Sequence, residues 1–374
     1  MTDIAVRPTR LADGRELIYF DDAGSTLPPE RRADPRHLDP RPPTATMRLD
    51  LLTGDWVSIA SARQNRAFLP PAEFDPLAPQ SDTNPSEVPA QYDVAVFENR
   101  SPSFGPALGD AEDAPEGLAD LASLAVGRTR TSVGRTEVVC FDPGTHGSFA
   151  DLTANRARTV VEAWTQRTAA LSALDGVQQV FPFENRGEAI GVTLHHPHGQ
   201  IYAYPYVTPR TSALLRQVDA YEGDLFADLL AFEQAGDRVV LRSETFTAFV
   251  PFAARWPVEL HLLPHRHVAD FTELTDPERD ELARVYLRLL RAIDALYETP
   301  TPYIAAWHQA PVATHRDRVR LNLQISSPRR GPERLKYLAG SEAAMGAWIG
   351  DLVPERTAEQ LRAALEKADA ERPL

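Results

Sequence analysis

The chain has 374 residues, of which 39 are basic and 53 acidic, for a formal net charge of −14. That balance forms no broad basic stripe and speaks against a nucleic-acid partner, and the single cysteine, Cys140, excludes an intrachain disulfide and any zinc site needing two thiolates. A 43% hydrophobic and 25% charged composition is that of a soluble globular protein; with no run long enough for a membrane span and no signal peptide in residues 1–30, a cytoplasmic home is expected.

In chain order, Asp13-Gly14 is a hairpin cue between Arg10-Leu11 and Glu16–Phe20. Pro28 to Pro43 is rich in proline and arginine and reads as an irregular arm, expected to pack over a neighbour rather than form a core. The folded body begins at Met47, with a turn at Gly54-Asp55 and a strand at Trp56–Ile59. A loop then carries Arg63 and Arg66, and E-F-D-P-L-A-P follows at Glu73–Pro79. Gln91–Asn99 alternates as a strand, residues 104–126 read as a loop, and Thr136–Phe141 reads as a buried strand that leads to His146.

A helix is expected from Thr153 to Leu174, and strands at Val177–Phe183 and Gly191–Val207. The last of these contains His195, then H-P-H-G-Q at His196–Gln200. In an extended strand His196, His198 and Gln200 share a face, and Gly199 permits close approach of a ligand to the main chain. An imidazole with an amide two residues on suits attack on phosphorus: the ring supplies the lone pair and the amide donates to a non-bridging oxygen. A helix over Leu214–Gln234 follows.

The pattern then starts again. Thr245–Val250 and Val258–Leu263 are strands, P-H-R-H at Pro264–His267 is a turn, and a helix N-capped by Asp276 runs from Pro277 to Tyr297. Strands at Tyr303–Trp307 and Val319–Ile325 complete the repeat of residues 136–207. From His146 to His198 the interval is 52 residues, and from His267 to Gln324 it is 57, which suggests an internal duplication. The second copy has Asn322 and Gln324 where the first has His196 and His198, so only the first supplies a nucleophile. Beyond it lies R-L-K-Y-L-A-G-S-E at Arg334–Glu342. It holds Lys336, which with Lys367 makes up all the lysine in the chain; against that background a lysine in a motif points to a need for a compact ammonium charge.

H-P-H-G-Q resembles the active-site motif of the histidine triad superfamily. With F-E-N-R-G at Phe183–Gly187, G-V-T-x-x-H-P-H-G-Q and K-Y-L-A-G-S-E, roughly residues 45–350 resemble the galactose-1-phosphate uridylyltransferases. The resemblance implies an α+β fold of two tandem histidine-triad-like units, each an antiparallel sheet with packed helices, forming one pseudo-duplicated body. The divisions expected are a hairpin and arm (1–44), a unit with the nucleophile (45–210), a unit lacking the histidine pair (211–350) and a charged C-terminal helix (351–374). The implied reaction moves a uridylyl group from UDP-glucose to galactose 1-phosphate through a covalent uridylyl-histidine at His198, with Gln200 and Thr193 on the phosphoryl oxygens. The His196 carbonyl is the candidate acceptor for the second ring N–H of His198.

By the same resemblance, Phe97, Asn99 and Asn185 contact the nucleotide, and Arg63 and Arg66 reach phosphate. Lys336, Tyr337, Gly340, Ser341 and Glu342 hold the hexose 1-phosphate. A homodimer is implied. So is a structural zinc, whose ligands here are His146, His196 and Asp75, an incomplete set for a metal that takes four. Related chains have C-P-L-C-P where this one has Asp75 and Ala78. No second metal is expected, because Leu214, Asn322 and Gln324 replace its ligands and only His308 is retained. Arg100, Thr193, Leu194 and His195 also depart from the family pattern. They leave open a related nucleotidyltransferase or phosphorylase with another base or acceptor, or, in a different class, a nucleotide-sugar-binding module without turnover.

Overall fold

The computed structural model describes residues 4–61, 70–108, 126–297 and 299–374. The hairpin cue at Asp13-Gly14 joins β1 (Ala5–Arg10) to β2 (Glu16–Asp21), with Gly14 at φ 82°, a left-handed conformation that glycine adopts without penalty. The arm that follows is tied to its own chain by ion pairs. Arg31 pairs with Asp21, Arg36 with Asp34 at 2.7 Å, and Arg41 with Glu98. Arginine suits this task because its fork satisfies several acceptors along a segment that has no ladder of its own.

β3 (Thr46–Leu49), β4 (Trp56–Ile59) and a later β6 (Thr129–Thr131) form a small sheet in the order β4-β3-β6. The main sheet continues through β5 (Val94–Glu98) and β7 (Arg135–Cys140). Helix α1 (Ala154–Ser172) is capped by Thr153, whose side chain accepts from Arg156 N. It leads to β8 (Gln179–Arg186) and β9 (His198–Tyr204). The single helix expected over Leu214–Gln234 is two, α2 (Pro209–Ala220) and α3 (Leu225–Gln234), broken where Gly223 takes φ 119° and Asp224 caps the second.

The second half runs β10 (Val239–Arg242), β11 (Phe246–Phe249), β12 (Val258–Pro264), α4 (Asp276–Ala295), β13 (Tyr303–His308) and β14 (Asn322–Ser327). Thr275, not Asp276, caps α4, in a capping box with Glu278. The hairpin β15 (Arg329–Gly331) and β16 (Arg334–Leu335), the short α5 (Gly340–Met345) and α6 (Pro354–Glu371) close the chain. Among the described residues no helix is long and apolar enough to cross a membrane.

The two sheets expected from the sequence are joined, among the described residues, into one of eleven strands in the order β1-β2-β5-β7-β9-β8-β13-β14-β12-β11-β10. The seam is the antiparallel pair β8–β13, with Ala305 opposite Glu184. Outward from the seam, β8-β9-β7-β5 on one side faces β13-β14-β12-β11 on the other, and α1 and α4 occupy the same connection in each half. Both helices pack on one face, where Trp164 lies 5.7 Å from each of Phe271 and Trp307. Val139, Ile201, Ala305, Leu323 and Leu260 bury that face completely. The opposite face over the first half carries a smaller cluster, in which Leu77, Val88 and Tyr92 cover Phe97, Val138 and Cys140. This thinner layer leaves room for a cavity.

Candidate active site

Strand β9 alternates between half-buried and buried residues. Ile201 and Ala203 go under the helices, so His198, Gln200, Tyr202 and Tyr204 face the other way. Register then builds a row across three strands: Phe97 opposite Val138, and Val138 opposite Gln200, with Cys140 opposite His198. Above this row is a cavity of about 260 Å³. Phe97, Val138, His198 and Gln200 form its floor; Pro76 and Leu77 stand on one side; Asn99, Arg100 and Ser101 on another; and Thr193 and Leu194 come from the loop before β9. Arg15 and Glu87 complete the wall.

His198 Nδ1 lies 2.7 Å from the carbonyl oxygen of His196. A carbonyl only accepts, so Nδ1 carries the proton and Nε2 the lone pair. Gln200 Oε1 is buried with no hydrogen-bond partner among the described residues, although it lies on the cavity. A buried amide oxygen left without a donor is costly, and an N–H or O–H group entering the cavity would satisfy it. Asn99 turns its side chain back on the chain, its Oδ1 accepting from Ser101 N at 2.9 Å.

Strand β9 is shorter than the Gly191–Val207 strand expected, beginning only at His198. Gly199 also has a different reason to be glycine. A Cβ there would stand 2.7 Å from Phe141 Cζ and 2.9 Å from Phe183 O, on the helix side of the sheet, so the residue serves core packing rather than ligand approach. Gly187 is demanded in the same way: its φ is 97°, and a Cβ added to it would stand 2.8 Å from Pro302 Cβ.

The other candidates divide. Asn185 sits on β8 on the same face as Phe183, outside the cavity lining. Arg63 and Arg66 lie outside the described residues. Lys336, Tyr337, Gly340, Ser341 and Glu342 do not line this cavity. Instead Lys336 Nζ is buried against Glu342 at 2.9 Å and the carbonyls of Arg255 and Ile349, while Tyr337 is exposed at the surface. A lone ammonium in that place needs acceptors, and its own chain supplies them.

The zinc ligands do not assemble. His146 is exposed in the turn after β7, and among the described residues no three of His, Cys, Asp and Glu are grouped to hold a metal ion. Asp75 Oδ2 lies 2.7 Å from His196 Nδ1, and His196 Nε2 lies 2.9 Å from the Tyr92 hydroxyl, so both ring nitrogens are engaged. Burial works to raise the Asp75 carboxyl, but the hydrogen bond and charge of His196 outweigh it and hold the group below its ordinary value. Burial pushes the Cys140 thiol up, so it stays a thiol. The donor set does not fit a four-coordinate structural zinc.

In the second half His308 stands opposite Asn322, and Gln324 Nε2 donates to Asn322 Oδ1 at 3.0 Å. Burial, with Arg210 and His261 adding their charge, drives the His308 ring down to about 3 and keeps it neutral. Of the residues lining the cavity, the sequence had not marked Arg15, Pro76, Leu77, Glu87, Ser101 or Val138, nor Tyr92 behind the wall. Besides its local pair with Asp13 at 2.7 Å, the Arg15 guanidinium reaches Glu87 at 2.6 Å and the Glu98 carbonyl at 3.0 Å, both far away in the chain, and these distant partners place it on the wall.

Known proteins resemble this chain over both of its halves. The family models described as galactose-1-phosphate uridyl transferase, N-terminal and C-terminal domains, match residues 41–208 and 212–372. A galactose-1-phosphate uridylyltransferase of Streptomyces lividans is 44% identical over 375 residues, covering 95% of this chain and 96% of that protein. One from Thermotoga maritima is 32% identical over 327 residues, covering 84% of this chain and 97% of that one. A solved uridylyltransferase structure superposes with a TM-score of 0.75 at 29% identity, covering 86% of this chain and 99% of that one. With matches across both halves and nearly the full length of its relatives, the chain belongs to the galactose-1-phosphate uridylyltransferase family.

Proposed function

We propose that the protein transfers a uridylyl group from UDP-glucose to galactose 1-phosphate in two displacements at His198. In the first, Nε2 attacks the α-phosphorus, the bond from that phosphorus to the bridging oxygen breaks, and glucose 1-phosphate leaves. In the second, a phosphate oxygen of galactose 1-phosphate attacks the uridylyl-histidine, releasing UDP-galactose and restoring the ring. Nδ1 keeps its proton throughout, donating it to the His196 carbonyl, whose oxygen stabilises the positive charge of the substituted imidazole.

Gln200 and Thr193 bond the non-bridging oxygens, and Phe97, Asn99 and Asn185 take the nucleotide. Arg63 and Arg66 offset the diphosphate charge. Lys336, Tyr337, Gly340, Ser341 and Glu342 take the hexose phosphate. Because that segment is not on the His198 cavity of its own chain, the reading includes a homodimer in which a second copy brings it there. We also infer an internal duplication over residues 45–210 and 211–350, supported by the matching strand succession on the two sides of the β8–β13 seam, and a cytoplasmic location.

The observation that supports the reaction most is the cavity-facing His198 with its Nδ1 on a carbonyl, in a chain of this family. Incubation with UDP-glucose radiolabelled in the uridylyl group is expected to leave about one acid-labile label per chain, and none in His198→Gly. Absence of label on the wild type would overturn the covalent route. Label that passes to inorganic phosphate or water but not to galactose 1-phosphate would replace the acceptor. Leu194, a departure from the family motif that lines the cavity, is the feature that keeps this second reading in view.

A further inference from the structure

Behind the Leu77 wall lies a closed polar cluster, Asp75, Tyr92, Cys140 and His196, inside an otherwise apolar layer. The His196 side chain is fully buried and both its nitrogens are bonded, to Asp75 and to Tyr92. The same two partners also hold Leu77. Asp75 Oδ1 accepts from Leu77 N at 2.9 Å, and the Tyr92 hydroxyl lies 2.8 Å from Leu77 O. Asn84 Nδ2 fixes the Asp75 carbonyl at 2.8 Å. The cluster therefore has two outputs at the cavity: the position of the Leu77 wall, and the position of the His196 main chain whose carbonyl receives His198 Nδ1.

A buried imidazole without partners cannot stay where it is, since each unbonded nitrogen forfeits the hydrogen bond it would make in water. Some group must hold it, and Ala78 has no donor atom to offer a metal. We propose that Asp75 and Tyr92 are positioning residues of the transfer reaction, a hydrogen-bonded bracket that clamps the His196 ring in place of the structural zinc implied by the family resemblance. Neither touches the substrate. They act through His196, whose fixed carbonyl selects the tautomer and the direction of the His198 ring. Cys140, directly opposite His198 across the β7–β9 ladder, packs against Tyr92 and closes the cluster.

The inference rests on His198 being the group that takes the uridylyl moiety, and the test separates the two. Three measurements are made on the full-length protein: zinc content with activity before and after chelation, the rate of uridylyl labelling from UDP-glucose, and kcat and KM for that donor. The variants are Asp75→Ala and Tyr92→Phe, the second keeping the ring and its packing while losing only the hydroxyl. The expected wild type has well under one zinc per chain and is indifferent to chelation. Both variants are expected to label about 10- to 100-fold more slowly, with KM changed by less than about threefold, as a misdirected nucleophile requires.

Histidine-selective 15N spectra give a readout that a general loosening would not. The wild type should show His198 protonated on Nδ1, and Asp75→Ala a mixture of tautomers. About one zinc per chain whose removal abolishes activity would overturn the bracket. So would variants that label at the wild-type rate, or that raise KM alone. A wild type that never labels sinks the nucleophile itself, and the bracket with it.

Discussion

At the scale of single residues, Glu184 is an instructive member of F-E-N-R-G, because it points away from the cavity. It lies under the helices, where Tyr303 and Tyr286 donate to its two oxygens at 2.9 and 3.1 Å. Burial raises its carboxyl to about 7, with the two hydroxyls and Arg186 only partly opposing. The folded protein thus binds a proton that the unfolded chain releases near its ordinary value of 4.5. Its contribution is full below that value and is lost as pH rises toward 7, by roughly 3 kcal/mol. Glu184→Gln is expected to remove this slope, so that urea unfolding at pH 5 and pH 8 shows the variant gaining on the wild type at the higher pH. A constant difference between the two proteins would show that Glu184 does not titrate there. Nothing in the local pattern marks this residue as buried. Only the β8–β13 pairing places Tyr303 within reach.

At the scale of elements, the helices and strands were largely legible because hydrophobic periodicity reports which face is covered. What periodicity missed was where elements stop. Strand β9 begins at His198, not Gly191, because the preceding loop is held by its own turn, with Gly191 at φ 83° and its N–H on Glu188 O. The Leu214–Gln234 helix breaks at Gly223 despite a continuous apolar stripe. Gly199 joins these scales. Adding a methyl there drives it into Phe141 and the Phe183 carbonyl, an overpacking that costs about 1–3 kcal/mol. Gly199→Ala is therefore expected to lower the melting temperature and, by displacing His198 and Gln200 on either side, to lower kcat/KM as well. An alanine variant with unchanged stability would mean that the Phe141 ring yields.

At the scale of the molecule, the two halves share one sheet and one aromatic core. Trp164 of the first half is packed among Phe271, Tyr286 and Trp307 of the second. Neither half keeps its apolar face covered without the other, so calorimetry on the whole chain should show a single cooperative transition. Two resolved transitions would contradict that coupling. The candidate site depends on the same long-range assembly. Its floor comes from β5, β7 and β9, and its walls from the hairpin, from residues 76–77 and 99–101, and from the loop before β9.

The family was legible before any fold was known, in a motif dense enough to carry its resemblance, and so were the candidates for its chemistry: an imidazole and an amide two positions apart on one strand face, and a zinc set short of thiolates. Those are properties of residue type and spacing, which a chain carries before it folds. Which groups meet was left to the packing of the folded chain. It turned Asp75 and Tyr92 onto His196, sent His146 to the surface, tied Lys336 to Glu342, and brought Arg15 across the sheet to the cavity wall. The Asp75–His196 pair joins residues 121 positions apart. Strand register sets such partnerships, and local pattern does not encode them.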